Sequence, residues 1–363
     1  MSRMPPPSFP SALTGEPTDP NASIRATDND AALARLSAVQ KRYLGDPYIA
    51  ALVPRAHLQP PRPPLINIGT YLRGHGIDEL VDGWIDIAAK SGKQVQIVSL
   101  GAGSDTRFWR LATGKKAGSI AKYIELDFQE NTMKKAMAVR KSKILNPVLG
   151  EAGNVKISDG GATLHSPVYS LLSVDLRSPP EETIKSLLAS EHDPLLSPTL
   201  PTLLLFECVL AYMTPDASNG LIHWFVDYVK EGALGAIVYE MFGLEDAFGR
   251  VMMSNLRSRN VTLPGVAPYP TFASLPQRFL RLGFSAARAL TLREIRLRYI
   301  EADEQDRIAG LEMLDEIEEL ELVLDHYAIT WGVNIPRGES ANSAQGWKDW
   351  GLRLKPRGEE DED

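Results

Sequence analysis

An open α/β sheet with a ligand crevice along one edge is predicted by three features of the sequence. Residues 94–107, QVQIVSLGAGSDTR, run from a short buried strand through Gly101-Ala102-Gly103 into a helix near Arg107. Further strands at 122–128 (KYIELDF), 169–174 and 201–207 end at or beside an acidic residue: Asp127, Asp175 and Glu207. Helical periodicity fills the intervals, so right-handed crossovers bring these tips to one edge of a parallel sheet. Glycines at such a turn are expected to let a ligand lie on bare backbone, where a Cβ would collide with it.

The ligand class follows from what the turn lacks. A dinucleotide fingerprint would carry glycine where Thr106 stands, and a Walker loop would end in Gly-Lys-Ser/Thr, which is absent. S-adenosylmethionine has no phosphate and needs only the glycine turn plus an acidic residue for the ribose, which Asp127 supplies. NAD sites use the same acidic device, so these two segments favour the methyl donor without excluding NAD.

Composition narrows the class. The 363 residues are 44% hydrophobic, enough for one large or two medium domains with a sizeable core. A formal charge of −7 disfavours a nucleic-acid partner, which would want a basic stripe. Cys208 is the single cysteine, so no intrachain disulfide forms. No 18-residue apolar run or signal-like core is present, and a soluble cytoplasmic protein, without membrane contact, is expected.

In chain order, residues 1–24 hold six prolines and little apolar content, and a disordered leader is expected. Residues 27–30 offer helix caps. Leu33, Leu36, Val39 and Tyr43 then recur at helical spacing until Gly45-Asp46-Pro47. A short helix at 48–52 and a rigid connector at 58–64 (LQPPRPP) follow. In 67–76, NIGTYLRGHG, Arg73 lies among Gly69, Gly74 and Gly76. That is an odd place for an arginine unless the backbone bends to present it; a solvated turn is the plainer alternative. A helix over 77–90 completes a helical cap (25–90). The core is assigned to 91–335. It adds helices at 129–144 and 183–189, the most continuous apolar strand at 201–207, a helix through Val229 and a strand at 233–240 tipped by Glu240. An insertion at about 244–274 carries Arg250, Arg257 and Arg259 on a helix, followed by a Pro/Gly loop. A helix at 275–282, one long amphipathic helix over 308–324 and a closing strand at 327–333 follow. Residues 336–363 read as a mostly irregular tail with an apolar patch at Trp347, Trp350 and Leu352 and an acidic end. No internal repeat is found.

At this point the chain resembles the leucine carboxyl methyltransferase family, in a fungal-type short form without a propeller extension. That family uses S-adenosylmethionine to methylate the C-terminal leucine of the protein phosphatase 2A catalytic subunit. The resemblance is carried by RATDND (25–30), DPYI (46–49), INIGTYLRGHGI (66–77), VSLGAGSDTRFWRL (98–111), YIELDF (123–128), Asp175-Leu176-Arg177, PTLLLFECVLAYMTP (201–215), FGRVMMSNLRSRN (248–260) and EMLDEIEEL (312–320). It implies a Rossmann-like class I methyltransferase: a seven-stranded, mostly parallel sheet with helices on both faces, an N-terminal helical cap and an inserted lid. It further implies that Gly101 backs the methionine portion of the donor, Asp127 holds the ribose, Asp175 and Leu176 frame the adenine, and Glu207 sits near the amino group. Arg73 resembles the family arginine that grips a carboxylate, and Tyr212 an active-site tyrosine. A basic cofactor contact on the first helix falls on Arg35, with Lys41 as second candidate. The product is S-adenosylhomocysteine, and a monomer is expected.

The chemistry of the residues agrees with that assignment. A C-terminal carboxylate has a pKa of ~3.3–3.7, so at neutral pH it is already the nucleophile and needs no general base. The six histidines accordingly show neither triad-like nor metal-ligand spacing. Catalysis then reduces to aiming the oxygen along the S–CH3 axis at ~3–3.5 Å. An overly tight bidentate clamp would make that oxygen less nucleophilic, so a one-sided grip by Arg73 is expected. Plainer readings stand beside the other residues: Cys208 as a packing thiol rather than a nucleophile, Glu240 as a cap, the three insertion arginines as a solvated face, and the two tail tryptophans as core. Rival functions are a related carboxyl methyltransferase acting on a modified tRNA base or a small acid, and a non-catalytic phosphatase-binding protein.

Overall fold

The apolar runs pair into one sheet because each is buried on both faces and satisfies its backbone only through its neighbours. The computed structural model describes residues 19, 21–315 and 317–355. Most of the expected leader and the acidic end lie outside them. The strands are β1 (Val95–Leu100), β2 (Ile120–Asp127), β3 (Lys156–Ser158), β4 (Thr163–His165), β5 (Tyr169–Ser173), β6 (Thr202–Glu207), β7 (Leu234–Met241), β8 (Ala286–Thr291) and β9 (Tyr327–Asn334). Their spatial order is β3-β4-β5-β2-β1-β6-β7-β9-β8. From β5 to β7 all neighbours are parallel, whereas β9 runs antiparallel to both β7 and β8. β1 and β6 are central, and the order reverses beside them, which opens the crevice at their carboxyl ends.

Nine strands replace the seven expected. The two additions, β3 and β4, are three-residue antiparallel edge strands, too short to leave a periodic signal. β8 lay hidden in AARALT, an alanine-rich half-buried strand with no strand propensity of its own, formed because β9 offers it a partner.

Other boundaries shift for identifiable reasons. The first helix spans Ala22–Gln40, so residues 27–30 lie inside it rather than capping it. The segment expected to bend around Arg73 belongs instead to one continuous helix, Pro64–Lys90. Gly76 serves close approach: a Cβ there would stand 2.7 Å from Ile329 Cδ1 of β9. The single helix expected over 308–324 is two, Ala302–Ala309 and Ile317–Asp325. Between them Glu312 is drawn to the Asn67 amide (2.7 Å) and the Lys41 ammonium (2.9 Å). The tail holds a helix, Ala341–Lys348, and closes the core. Trp347 and Trp350 pack on Trp84 with ring centroids 4.4 and 4.8 Å away, and Trp350 Nε1 donates to the Leu80 carbonyl at 2.9 Å. No described helix is long and apolar enough to cross a membrane.

Trp84 is wedged against β7 at Gly235, where a Cβ would lie 2.6 Å from the Trp84 ring and 2.9 Å from Leu203. Gly235→Ala is expected to cost about 1–3 kcal/mol, since neither the ring nor the strand can retreat. Urea unfolding measures it.

Candidate active site

The first helix, the long helix, the inserted helix Ala247–Ser258 and the strand tips enclose a cavity of about 370 Å³. Among its lining residues are Arg35, Arg73, Gly101, Asp127, Asp175, Leu176, Glu207 and Tyr212. All eight sequence-selected residues therefore share one space. Lys41, the second candidate for the basic contact, is turned away to Glu312.

The glycine turn works differently from the expectation. Gly101 and Gly103 have φ of +69° and +45°, a region L side chains avoid. A Cβ on Gly101 would stand 2.5 Å from Val209, and one on Gly103 would collide with the Asp28 carboxylate. The protein's own side chains thus occupy the space a Cβ would need. Asp28, reaching out of the first helix, accepts from Ser104 N at 2.6 Å and ties that helix to the turn.

Asp127 ends β2 and accepts from Gly103 N (2.7 Å), Phe128 N (2.7 Å) and Asn131 Nδ2 (2.9 Å). Burial pushes its carboxyl above the ordinary value, although these three donors oppose the shift. Six carboxylates (Asp28, Asp30, Asp105, Asp127, Asp175, Glu207) and four guanidiniums (Arg35, Arg73, Arg177, Arg259) line the cavity. Among the described residues Asp127 alone of the six has no cationic partner. Asp175 is engaged by its neighbour Arg177, Nη2 to Oδ2 at 2.6 Å, whose hydrogen bond holds it below the usual carboxylate range.

Glu207 sits at the centre. Arg73 Nε donates to its Oε2 at 2.7 Å, and Arg107 Nη1 to its Oε1 at 2.9 Å. Burial alone would raise the Glu207 carboxyl, but the two guanidiniums outweigh it and hold the group ionised. Arg107 is 2% exposed and also binds Asp105 (2.7 Å) and Asp78 (2.9 Å), while Asp78 is shared with Arg110. Arg73 lies over the ring of Tyr239, its Cζ 4.7 Å from the centroid, and Tyr239 stacks on Tyr327. Among the described residues the Arg73 Nη atoms make no hydrogen bond with the protein.

Sequence reasoning passed over Arg107, Asp28, Tyr239 and Tyr327. Arg107 did leave a signal: a cation in the first turn of a helix opposes the macrodipole, so something else must hold it there. Glu240, read as a cap or lining residue, pairs with buried Arg278 at 2.7 Å. It also accepts from Ala211 N at 2.7 Å, supporting the turn that carries Tyr212. Burial pushes the Cys208 thiol up to about 12, which suits packing and not nucleophilic attack at neutral pH. Arg35 bonds Asp46 at 2.6 Å, and Asp46 also accepts from Thr106 Oγ1 at 2.5 Å, locking the first helix to the glycine turn.

A mostly parallel sheet with a reversed closing strand, a glycine turn after its central strand and acidic tips along one cavity defines a Rossmann-like class I methyltransferase. Residues 23–226 match the family model for leucine carboxyl methyltransferase. Curated relatives named leucine carboxyl methyltransferase 1 include one from Cryptococcus neoformans, 43% identical over 88% of this chain and 95% of its own. Another, from Bos taurus, is 34% identical over 90% and 93%. Among solved structures, a Thermobifida fusca protein described as a putative methyltransferase is similar at 14% identity and TM-score 0.46, covering 88% of this chain and 98% of its own. The chain belongs to the leucine carboxyl methyltransferase family and is a methyltransferase.

Proposed function

We propose that this enzyme moves a methyl group from S-adenosylmethionine to the C-terminal leucine carboxylate of the protein phosphatase 2A catalytic subunit, leaving S-adenosylhomocysteine. The observation that carries the reading is the arrangement at Glu207. Arg107 neutralises one oxygen from below, so Arg73 is free to turn its two Nη groups to an incoming carboxylate without stranding Glu207.

The residues fit the donor. Asp127, without a cationic partner, suits the neutral hydroxyls of a ribose, and Phe128, Val174 and Leu176 offer an apolar face for a base beside Asp175. Asp127, among the described residues the one lining carboxylate without a cationic partner, leaves a negative charge in the cavity that favours a cationic donor. When bound, the sulfonium supplies the electrophilic methyl. Arg73 and Tyr212 are the catalytic residues of this reading, orienting the carboxylate, while Arg35, Gly101, Asp127, Asp175, Leu176 and Glu207 line the donor. Residues 25–90 serve as the cap, 91–335 as the catalytic core, and 336–355 as the part of the tail that seals it.

The deciding assay incubates the enzyme with methyl-labelled donor and the phosphatase core enzyme, with and without its terminal leucine. Base-labile label that depends on the leucine supports the reading; label on lysine or RNA refutes it. Asp127→Asn is expected to weaken donor binding about 10- to 100-fold, the loss of a charge-assisted hydrogen bond, with stability kept. Isothermal calorimetry and a melting curve separate the two effects. No histidine lines the cavity and the nucleophile is already ionised, so turnover is expected to be flat from about pH 5.5 to 8. A bell-shaped profile centred near neutrality would require a base that this reading lacks.

A further inference from the structure

Asn131 is the third residue of the helix Gln129–Lys141, which follows β2, and its amide turns back to the strand tip. There Nδ2 donates to Asp127 Oδ1 at 2.9 Å. Asn131 is half-buried and lines the cavity, and among the described residues its Oδ1 accepts no hydrogen bond. Asp127 itself is nearly saturated as an acceptor, since each carboxylate oxygen has room for two donors. Its Oδ1 holds Phe128 N and Asn131 Nδ2, and its Oδ2 holds Gly103 N, which leaves one position, on Oδ2. The other carboxylates at this end of the cavity are engaged as well. Asp28 holds Ser104 N, Ser104 Oγ and Lys134 Nζ, and Asp175 is taken by the backbone and guanidinium of Arg177.

We infer that Asn131 Oδ1 accepts one hydroxyl of the donor's ribose while Asp127 Oδ2 accepts the other, so that a carboxylate and an amide share the diol. The inference rests on the placement of the ribose at Asp127 in the proposed function. A ribose brings two O–H donors to a carboxylate that has one position left. A buried donor without a partner loses affinity, so a second acceptor is needed beside the first. The planar amide supplies it: with Nδ2 committed to Asp127, Oδ1 is the remaining arm on the same carbon. Being neutral, that oxygen receives a hydroxyl without setting a second negative charge against Asp127. An amide that only steadied Asp127 would use Nδ2 alone, and the two roles differ in what a missing hydroxyl does.

The test is calorimetric and reads binding without turnover. The full-length enzyme and its Asn131→Leu variant, which keeps the branched shape without polar atoms, are titrated with S-adenosylhomocysteine and with its 2′-deoxy and 3′-deoxy analogues. Wild type is expected to bind each analogue about tenfold more weakly than the parent. Asn131→Leu is expected to bind the parent about tenfold more weakly, to lose its sensitivity to one of the two hydroxyls and to keep the full penalty for the other. Non-additivity confined to one hydroxyl marks the contact between that hydroxyl and the amide. Asn131→Ala should repeat the pattern, and a melting curve shows whether each variant is folded. Equal weakening of all three ligands, or loss of sensitivity to both hydroxyls, overturns the inference, because the amide would then act only by steadying Asp127. A variant indistinguishable from wild type overturns it too. Wild type that binds all three ligands alike would instead remove the ribose from Asp127, so failure of the placement is read from wild type alone and failure of the amide's role from the variants.

Discussion

Replacing Arg73 with alanine is expected to lower turnover on the phosphatase by about 10²–10³-fold, with little change in unfolding free energy. Among the described residues Arg73 and Arg35 both leave their terminal nitrogens without a hydrogen bond, but of the two only Arg73 has a carboxylate partner, Glu207, with a second cation to lean on. Its loss leaves Glu207 paired with Arg107, so the fold should hold while the reacting carboxylate loses its guide. Arg73→Lys keeps the charge without the planar fork and should recover part of the rate. Saturation kinetics with methyl-labelled donor measure both variants. Unchanged turnover for Arg73→Ala at saturating substrate would remove the residue from the chemistry.

Arg107→Met should act mainly on stability. The side chain is 2% exposed and holds Asp78, Asp105 and Glu207 at once. Removing a buried cation strands its partners, and breaking even one such pair costs about 3–5 kcal/mol. Asp78 retains Arg110 and Glu207 retains Arg73, so Asp105 bears most of the loss, with Lys135 Nζ already committed to its backbone carbonyl at 2.7 Å. Denaturant unfolding is expected to show a drop in that range. The Arg107→Met/Asp105→Asn double variant should restore part of it, because the stranded charge goes with its partner. A single variant as stable as wild type would mean that the cluster is solvated rather than buried.

The two variants divide one network by its physical roles. Arg107 faces carboxylates on all sides and fixes the floor of the cavity. Arg73, one layer nearer the opening and supported by the Tyr239 ring, has hydrogen-bonding capacity left over. The same distinction explains how the residues became visible in the sequence. Asp127, Asp175 and Glu207 were legible because each ends a strand of recognisable pattern or, for Asp175, follows it by two residues, and the local rule of strand, tip and crevice carries over without three-dimensional information. Arg107 obeys no such rule: its partners lie 2, 29 and 100 residues away in sequence. Similarly, the glycines at 74 and 76 looked like a bend because local propensity penalises glycine in a helix, whereas the approach of Ile329 at Gly76 is a contact across the whole chain.

By itself the sequence determined the α/β class, the five parallel strands, four of them with an acidic residue at or just beyond the tip, the shared cavity edge and the family. All of these rest on short-range periodicity and on motifs within a few residues of one another. Only the tertiary structure decided that β8 exists, that the segment bearing Arg73 is helical, that the tail tryptophans close the core, and that the glycine turn is filled by Asp28 and Val209. Each of those outcomes depends on a partner far away in sequence, whose burial or hydrogen bonding outweighs a weak or contrary local preference.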